Sequence, residues 1–472
     1  MDATLARSYL DTGLAKLSAQ ATQWQRRQDY FEGKQDPPFA PEGINSEYES
    51  LRKQSPANFL GLAMSAPIQR LEVEGFRTGP DNDADMALWN QSWVPNKLSS
   101  RQKIVYQQMY IHGRGMMSVS PRKATPKTPK IRPENSKRVW IEPNPEDPFE
   151  GLFAVKQIEQ SDGSLSGYVY SDTEWVQFVQ RKGDKDWTLT LGGRHNLGGL
   201  PFVPFDFNVD ADGVPHAPIE KLMPQQDAIN TIRFNTLLAM QFSAFRQRVF
   251  TAFDPVARDN KGQIVVRRNP DGTPMLDLNK QPIPVLNTPG RIGVDRALVF
   301  PGADTKVFDL PESNLDNYIK VYDTFLNTFF STSQIPPQYS LTKMANLTGD
   351  GMAGAESTFQ SLIADLKMAA GESLADVARL AHRAGGGSGE EVATEAIWSD
   401  TEIRSFAQVV DGVGKLITSG MSRKDAWSML PGATPPKVNE WVDNSNADMQ
   451  QQDAGVNALA AKIGGTLGDD IS

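Results

Sequence analysis

The 472 residues suffice to bury a sizeable core and to form two or more domains or subdomains. A formal charge of −9 argues against a general nucleic-acid binder, which needs clustered Lys and Arg to neutralise phosphate. The complete absence of cysteine excludes disulfides and thiolate metal sites and suits a reducing cytoplasm, and no apolar run approaches the roughly 18 residues of a membrane span.

The start, MDATLARSYLDTGLAKLSAQ, lacks the basic opening and compact apolar run of a signal peptide, so secretion is not indicated. Residues 3–31 read as a long amphipathic helix. Leu10, Leu14, Leu17, Ala21, Trp24 and Phe31 recur at alternating spacings of four and three, and Gln28 alone breaks the series. Gly33 and QDPPFAPEG end it. A second helix is expected at about 47–71, interrupted near Pro56, and a third at about 84–113, stopping at His112-Gly113. From Met116 to Phe207, stretches such as RVWIEP, LFAVKQIEQ and EWVQFVQRK alternate with Asp, Gly and Pro turns and predict an inserted antiparallel sheet.

A strong helix is expected at 218–251, with one Pro in its first two turns. Residues 253–311 are rich in Pro, Gly, Asp and Asn around short β pieces (QIVVRR, RALVF), the composition of a linker or of a small domain at a binding surface. Helix returns at 312–331 and stops at QIPPQYS. The loop LTKMANLTGDGMAG precedes an amphipathic helix at 355–384, where Phe359, Leu362, Ile363, Leu366, Leu374, Val377 and Leu380 share one face. GGGSG closes it, and residues from about 400 onward predict short helices and a mobile polar tail. No internal repeat is visible. The fold class expected is α+β, mainly helical.

Chemistry-bearing groups are sparse. His112, His195, His216 and His382 have no partner at ligand spacing, and GGRHNLGG at 192–199 lacks the GK[ST] end of a phosphate loop. Asn208-Val-Asp210-Ala-Asp212-Gly213 imitates the first half of a calcium loop, but the twelfth position is Ile219 where a bidentate Glu is required, so a turn explains it better. Residues 122–138 (RKATPKTPKIRPENSKR) hold seven Lys or Arg against one Glu, the most basic patch in the chain. They suit contact with nucleic acid or an acidic neighbour, or simply a solvated loop. No Ser/His/Asp grouping, paired-carboxylate motif, metal site or cofactor fingerprint is present.

Several segments in this order resemble the portal proteins of long-tailed phages. They are DYFEGKQDPPFAPEG, IQRLEVEGFRTG, ALWNQSWVPNKLSSRQKIVYQQMYIHGRG, GGLPFVPFDFN, PIEKLMPQQDAINTIRFNTLLAMQFSAFRQRVFT and SQIPPQYSL…AGAESTFQSLIADLK. The collinear set, over about residues 25 to 430, carries the likeness rather than any one motif. It implies a portal fold with wing (1–217), first stem helix (218–252), clip (253–311), second stem helix (312–337), channel loop (338–354), a long channel-backing helix and wing return (355–399), and crown with tail (400–472).

By the same resemblance the channel loop would carry Thr342, Lys343, Met344, Ala345, Asn346, Gly349, Gly351 and Gly354. The glycines would allow hinge-like movement, and Lys343 alone could pull on phosphate. One lysine per subunit would make a ring of weak, reversible contacts past which DNA slides. Arg258, Lys261, Arg267, Arg268, Arg291 and Arg296 would be the clip's docking residues. The implied function is a homo-oligomeric, dodecameric ring at one capsid vertex of the virion, assembled in the host cytoplasm. Double-stranded DNA would be packaged and ejected through it. The implied partners are the terminase large subunit, which would hydrolyse the ATP, the head-tail connector or adaptor, and the major capsid and scaffolding proteins. No cofactor, catalysis or membrane is implied. Another virion protein, minor capsid or adaptor, would lack the helix–clip–helix–loop–helix order of 218–384, and a cytoplasmic α+β enzyme would need a deep polar pocket with a preorganised titratable group.

Overall fold

The computed structural model describes the chain except residues 41–45, 79–85, 123, 126, 245–247, 252–255, 287–305, 310–314, 337–338, 340–348, 388–393, 400–405, 431, 434 and 467–472. It is α+β and mainly helical. Two units separate: Met1–Pro38, Pro56–Asn230 and Asp323–Ser472 form the first, Phe39–Ser55 and Thr231–Tyr322 the second.

In the first unit, helix α1 (Ala3–Glu32) starts on Asp2, whose carboxylate accepts from the amides of Thr4 and Leu5, and leaves through Gly33 at φ 73°. Its inner face holds Ala6, Leu10, Gly13, Leu17, Trp24, Arg27 and Tyr30. The expected stripe is therefore partly displaced: Ala21 is exposed, and Leu14 and Phe31 are only half-buried. What faces the start of α1 is a sheet. Ala6 and Leu10 join Phe153, Val155, Val169, Val176 and Phe178 in one core cluster, and the Tyr9 ring stacks on Phe153 at 4.0 Å. Gly13 permits the approach, since a Cβ there would lie 2.5 Å from Val155 Cγ2.

The helix expected at 47–71 is two helices, α2 (Ser46–Gln54, in the second unit) and α3 (Phe59–Gln69), parted at Pro56. Asn58 caps α3 by accepting from the Gly61 amide at 2.7 Å. Strand β1 (Val73–Arg77) follows. The third expected helix is also broken: a π turn at Trp89–Trp93 and a 3₁₀ turn at Val94–Asn96 lead through Lys97, at φ 55°, into α4 (Leu98–His112). Pro95 has no amide to donate, which favours the irregular turn at this point.

The region expected as one sheet is two. Strands β2 (Arg114–Ser120) and β3 (Lys130–Pro133) pair with each other; β4 (Val139–Pro143), β5 (Gly151–Glu159), β6 (Leu165–Tyr170), β7 (Glu174–Gln180) and β8 (Thr188–Arg194) form an antiparallel meander. Strand β9 (Phe202–Asp206) then returns to the far side of β2, with Met117 opposite Val203.

Helix α5 (Ile219–Ala244) ends seven residues short of its expected limit at 251, and residues 248–251 are strand β10 (Arg248–Thr251), paired antiparallel with β11 (Lys306–Asp309). Helix α6 is Asp316–Thr332. Helix α7 (Gly349–Ala384) begins six residues before the expected 355 and packs on β2 and β9. All seven apolar residues predicted for one face of α7 are buried. Strand β12 (Glu395–Trp398) pairs with β1. Helices α8 (Phe406–Thr418) and α9 (Arg423–Ser428) precede α10 (Pro435–Thr466), a helix of 32 residues where short ones were expected.

Buried side-chain amides clamp irregular backbone in this unit. Asn96 donates to the carbonyls of Ser92 and Pro129 and accepts from the Ile131 amide, which holds down the middle of the basic 122–138 segment. Gln102 accepts from the Val73 amide, and Gln108 spans the Glu134 carbonyl and the Ser136 amide. His112, at the end of α4, stacks on Trp24 with ring centroids 4.3 Å apart, and its carbonyl accepts from Arg27. Burial, and then the charges of Arg27 and Lys137, push its pKa from 6.5 down to about 3.

Two consequences are measurable. Gly13→Ala forces a methyl into Val155 and should destabilise the fold by about 1–3 kcal/mol in urea unfolding, the range for overpacked cores. An unfolded chain protonates His112 near 6.5, whereas the fold keeps it neutral to about 3. Its contribution to stability is therefore whole above the first value and lost as pH falls toward the second. His112→Phe, which preserves a ring against Trp24, should flatten the pH dependence of the urea midpoint across that window, and an unchanged slope would contradict the assignment.

Candidate functional site

The stretch 219–384 contains every residue predicted for the site, and its root is α5. Along the helix face turned to the core lie Leu222, Met223, Gln226, Ile229, Asn230 and Phe234, all buried. Gln226 is fully buried. Its Oε1 accepts from the Leu60 amide at 3.0 Å, and its Nε2 donates to the Ala57 carbonyl at 2.6 Å and to Asn230 Oδ1 at 3.0 Å. Asn230 Oδ1 also accepts from the Ala57 amide at 3.0 Å. The entry to α3 is thus hydrogen-bonded to α5 side chains instead of water. Helix α1 adds Arg27, 2.8 Å from Glu220, and Tyr30, whose hydroxyl donates to Asp227 at 2.7 Å. Burial and that carboxylate raise the pKa of Tyr30, which keeps the donor protonated.

Beyond Phe234 the character of α5 changes. Leu237 and Leu238 are half-buried and Met240 is 50 % exposed; the side chains of Phe242 and Phe245 lie outside the described residues. On α6, Tyr318, Val321 and Phe325 form one exposed stripe at 37–46 %, with Ile319 beside it at 53 %. The same helix buries Leu326, Phe329 and Phe330 at its far end.

Residues 256–286 contain a repeat that is not visible in the sequence. Three five-residue turns, 259–263, 269–273 and 277–281, share one design. The first amide donates to the fifth carbonyl and the fourth amide to the first carbonyl, at 2.8–3.0 Å throughout. The fourth residue has positive φ: Gly262 at 79°, Gly272 at 84° and Lys280 at 62°. This is a type I turn closed by a bulge residue. Asp259 and Asp277 each accept two amides of their own turn. Between the turns the backbone closes two cycles of hydrogen bonds. Val265 donates to Ala257, Ala257 to Val285 and Val285 to Val265; Arg267 donates to Ile283, Ile283 to Met275 and Met275 to Arg267. Main chain, with few buried side chains, holds this segment, and Ile264, Leu276, Leu278 and Leu286 remain exposed.

The basic residues predicted here separate into groups. Arg258, Lys261, Arg267 and Arg268 are exposed. Arg258 and Arg268 brace their own turns by donating to the Gly262 and Gly272 carbonyls, at 3.2 and 2.9 Å. Arg291 and Arg296 lie outside the described residues. The calcium-like segment is the same turn again: Asp210 Oδ1 accepts the amides of Asp212 and Val214, its Oδ2 lies 2.8 Å from His216 Nε2, and Gly213 has φ 74°. Those backbone amides, first that of Val214, lower the pKa of Asp210. Among the described residues no group of three or more His, Asp or Glu could hold a metal ion.

Of the predicted channel-loop residues, Thr342, Lys343, Met344, Ala345 and Asn346 lie outside the described residues. Gly349, Gly351 and Gly354 were expected in the loop but belong to the first turns of α7. The chain on either side of 340–348 meets at Arg70, which sequence reasoning missed. Arg70 donates to the Tyr339 hydroxyl at 2.8 Å, lies 3.6 Å from Glu356 and sits over the Phe359 ring at 5.0 Å. Gln226 and Asn230 were missed as well, although two amides at i, i+4 on an apolar helix face were a readable signal. Because Lys280 occupies a left-handed position that its sister turns give to glycine, Lys280→Gly should stabilise the segment by about 0.5–1 kcal/mol. Amide exchange across 256–286 should slow accordingly; faster exchange would show the turns to be unlike.

The family model described as "Phage portal protein, SPP1 Gp6-like" matches residues 12–454. The portal protein of Mycobacterium phage D29 is 21% identical over 457 residues, covering 93% of this chain and 87% of the relative. That of Mycobacterium phage L5 is 22% identical over 378 residues, covering 76% and 72%. Among solved structures, a chain from the neck of an empty GTA particle aligns at TM-score 0.44 and 10% identity, over 84% of this chain and 96% of its own. A chain from the virion of a native gene transfer agent particle aligns at 0.44 and 12%, over 86% and 99%. With the family match running from within the first helix to within the last, the chain belongs to the SPP1 Gp6-like family of phage portal proteins, structural connectors of the virion.

Proposed function

We propose that the chain is one subunit of a ring at a single capsid vertex, through which double-stranded DNA is packaged and later ejected. The observation that carries this reading is the apolar stripe Tyr318–Val321–Phe325 on α6, exposed in the single chain together with Met240 of α5. A stripe of that kind calls for a neighbouring subunit, and a head-to-tail contact closes into a ring when its rotation permits. In this reading α5 and α6 are the stem helices, 253–311 the clip, 1–217 the wing, 338–348 the channel loop and 400–472 the crown, and the ring is a dodecamer.

The exposed clip face, with Lys261 and Arg267, docks the terminase motor and then the head-tail connector; the wing meets capsid and scaffolding proteins. Work on DNA comes from the terminase's ATP hydrolysis, and the ring conducts. The charge of −9 supports conduction over grip, because an acidic wall repels phosphate. The loop lysine, Lys343, supplies weak reversible contacts.

Negative-stain images and sedimentation of the purified protein test the reading. Rings with a central hole are expected, and Phe325→Asp should leave subunits folded but unassembled, because that side chain is 42 % exposed in the single chain. The ring should bind duplex DNA weakly at physiological salt. Uniform monomers or dimers from the unaltered chain, or submicromolar salt-insensitive DNA binding, would overturn it.

A further inference from the structure

Two sequence features find no use in ring formation or DNA conduction: the break of the α1 stripe at Gln28 and the basic run at 122–138. The structure brings them to one place. Gln28, the outer face of α4 and the chain at 132–137 line an open cleft of ≈ 560 Å³ in the first unit. That volume lies within the range of ligand pockets.

The cleft is locally cationic in an acidic chain. Arg101, Arg132 and Lys137 line it. Its one carboxylate, Glu134, is already engaged, 2.6 Å from Lys156 Nζ and 2.6 Å from the Ser118 hydroxyl, with Arg132 at 3.5 Å. Arg101 and Lys137 have no carboxylate within ion-pair distance among the described residues; they donate instead to the Asn96 carbonyl and to Gln25. One buried donor of a lining residue, Arg132 Nε, has no hydrogen-bond partner among the described residues. An unmet guanidinium donor beside surplus positive charge calls for an anionic acceptor, and guanidinium groups favour planar carboxylates.

We propose that this cleft receives an acidic, carboxylate-bearing peptide segment of a partner protein. Nucleic acid fits less well, since phosphate backbones are tracked by extended open rows of cations. Here the cations converge on one short open cleft with apolar Ile104 and Ile111 and the side-chain amides of Gln28 and Gln107 in its walls. Amides match a peptide backbone, the isoleucines cover aliphatic stems, and the cations meet the carboxylates. The proposal does not require the chain to close into a ring, so either reading can fail alone.

The test is fluorescence anisotropy of a labelled oligo-glutamate peptide on the full-length protein at physiological ionic strength. Oligo-lysine serves as the control, and inorganic phosphate and a short duplex DNA as competitors. Saturable binding of oligo-glutamate is expected. Arg101→Gln with Arg132→Gln should weaken it about tenfold or more, the loss of one or two charge-assisted hydrogen bonds. Ile104→Glu, on a side chain 49 % exposed, should weaken it independently by adding a like charge at the mouth. The pair Lys53→Gln with Lys185→Gln, exposed and distant in sequence, should leave it unchanged. Thermal melts by circular dichroism verify that each variant folds. The proposal is overturned by absence of saturable binding, by equal binding to folded Arg101→Gln/Arg132→Gln protein, or by phosphate or duplex DNA occupying the cleft more tightly than the peptide.

Discussion

Backbone that is neither helix nor strand must still be hydrogen-bonded once it is buried, and this chain meets that demand with side-chain amides. Gln226 and Asn230 serve the entry to α3, Asn96 the middle of the basic segment, Gln102 the start of β1 and Gln108 the bend after β3. An unsatisfied buried amide costs on the order of 1–3 kcal/mol, so each of these residues holds a chain crossing that apolar packing alone could not hold. Asn230 keeps one donor without a partner among the described residues, a local cost carried by the other bonds of the pair. Asn230 is also where the first unit's share of α5 ends, and farther along the same helix Met240 is half exposed.

The second unit is built on a different principle. Its segment 256–286 has little buried apolar area and draws its order from closed cycles of main-chain hydrogen bonds and three copies of one turn. A segment organised in this way can leave its side chains outward. Of the arginines expected to meet partners there, Arg258 and Arg268 close the turns that carry them, whereas Lys261 and Arg267 are exposed without such a brace in the described structure. Docking chemistry and local order are therefore not independent at Arg258 and Arg268.

Charge is distributed against the mean. A chain of −9 repels phosphate as a whole, yet its first unit gathers cations around a cleft whose one lining carboxylate is paired with a lysine. Repulsion of phosphate by the whole and attraction of an acidic segment by one part are compatible, because screening confines each effect to roughly a Debye length, about 8 Å.

The sequence by itself determined the α+β class, the long helices and the face of α7, because a stripe of apolar residues at helical spacing has one way to bury itself. It also carried the collinear blocks that place the chain among portal proteins. It did not determine which face of α1 turns inward, because Gly13 and Arg27 are buried through what a distant sheet and a distant carbonyl present to them. Nor could it place β9 beside β2, pair β1 with β12 across some three hundred residues, or end α5 at Ala244, since strand partners are chosen by contact and not by local preference. The repeat in 256–286 was hidden because the turn depends on backbone geometry, and its three copies start on Asp or Asn and put Gly or Lys at the left-handed position. The clamp at Arg70 and the cationic cleft exist only once residues far apart in the chain are brought within a few ångströms, and that is the part of this protein that tertiary structure alone decided.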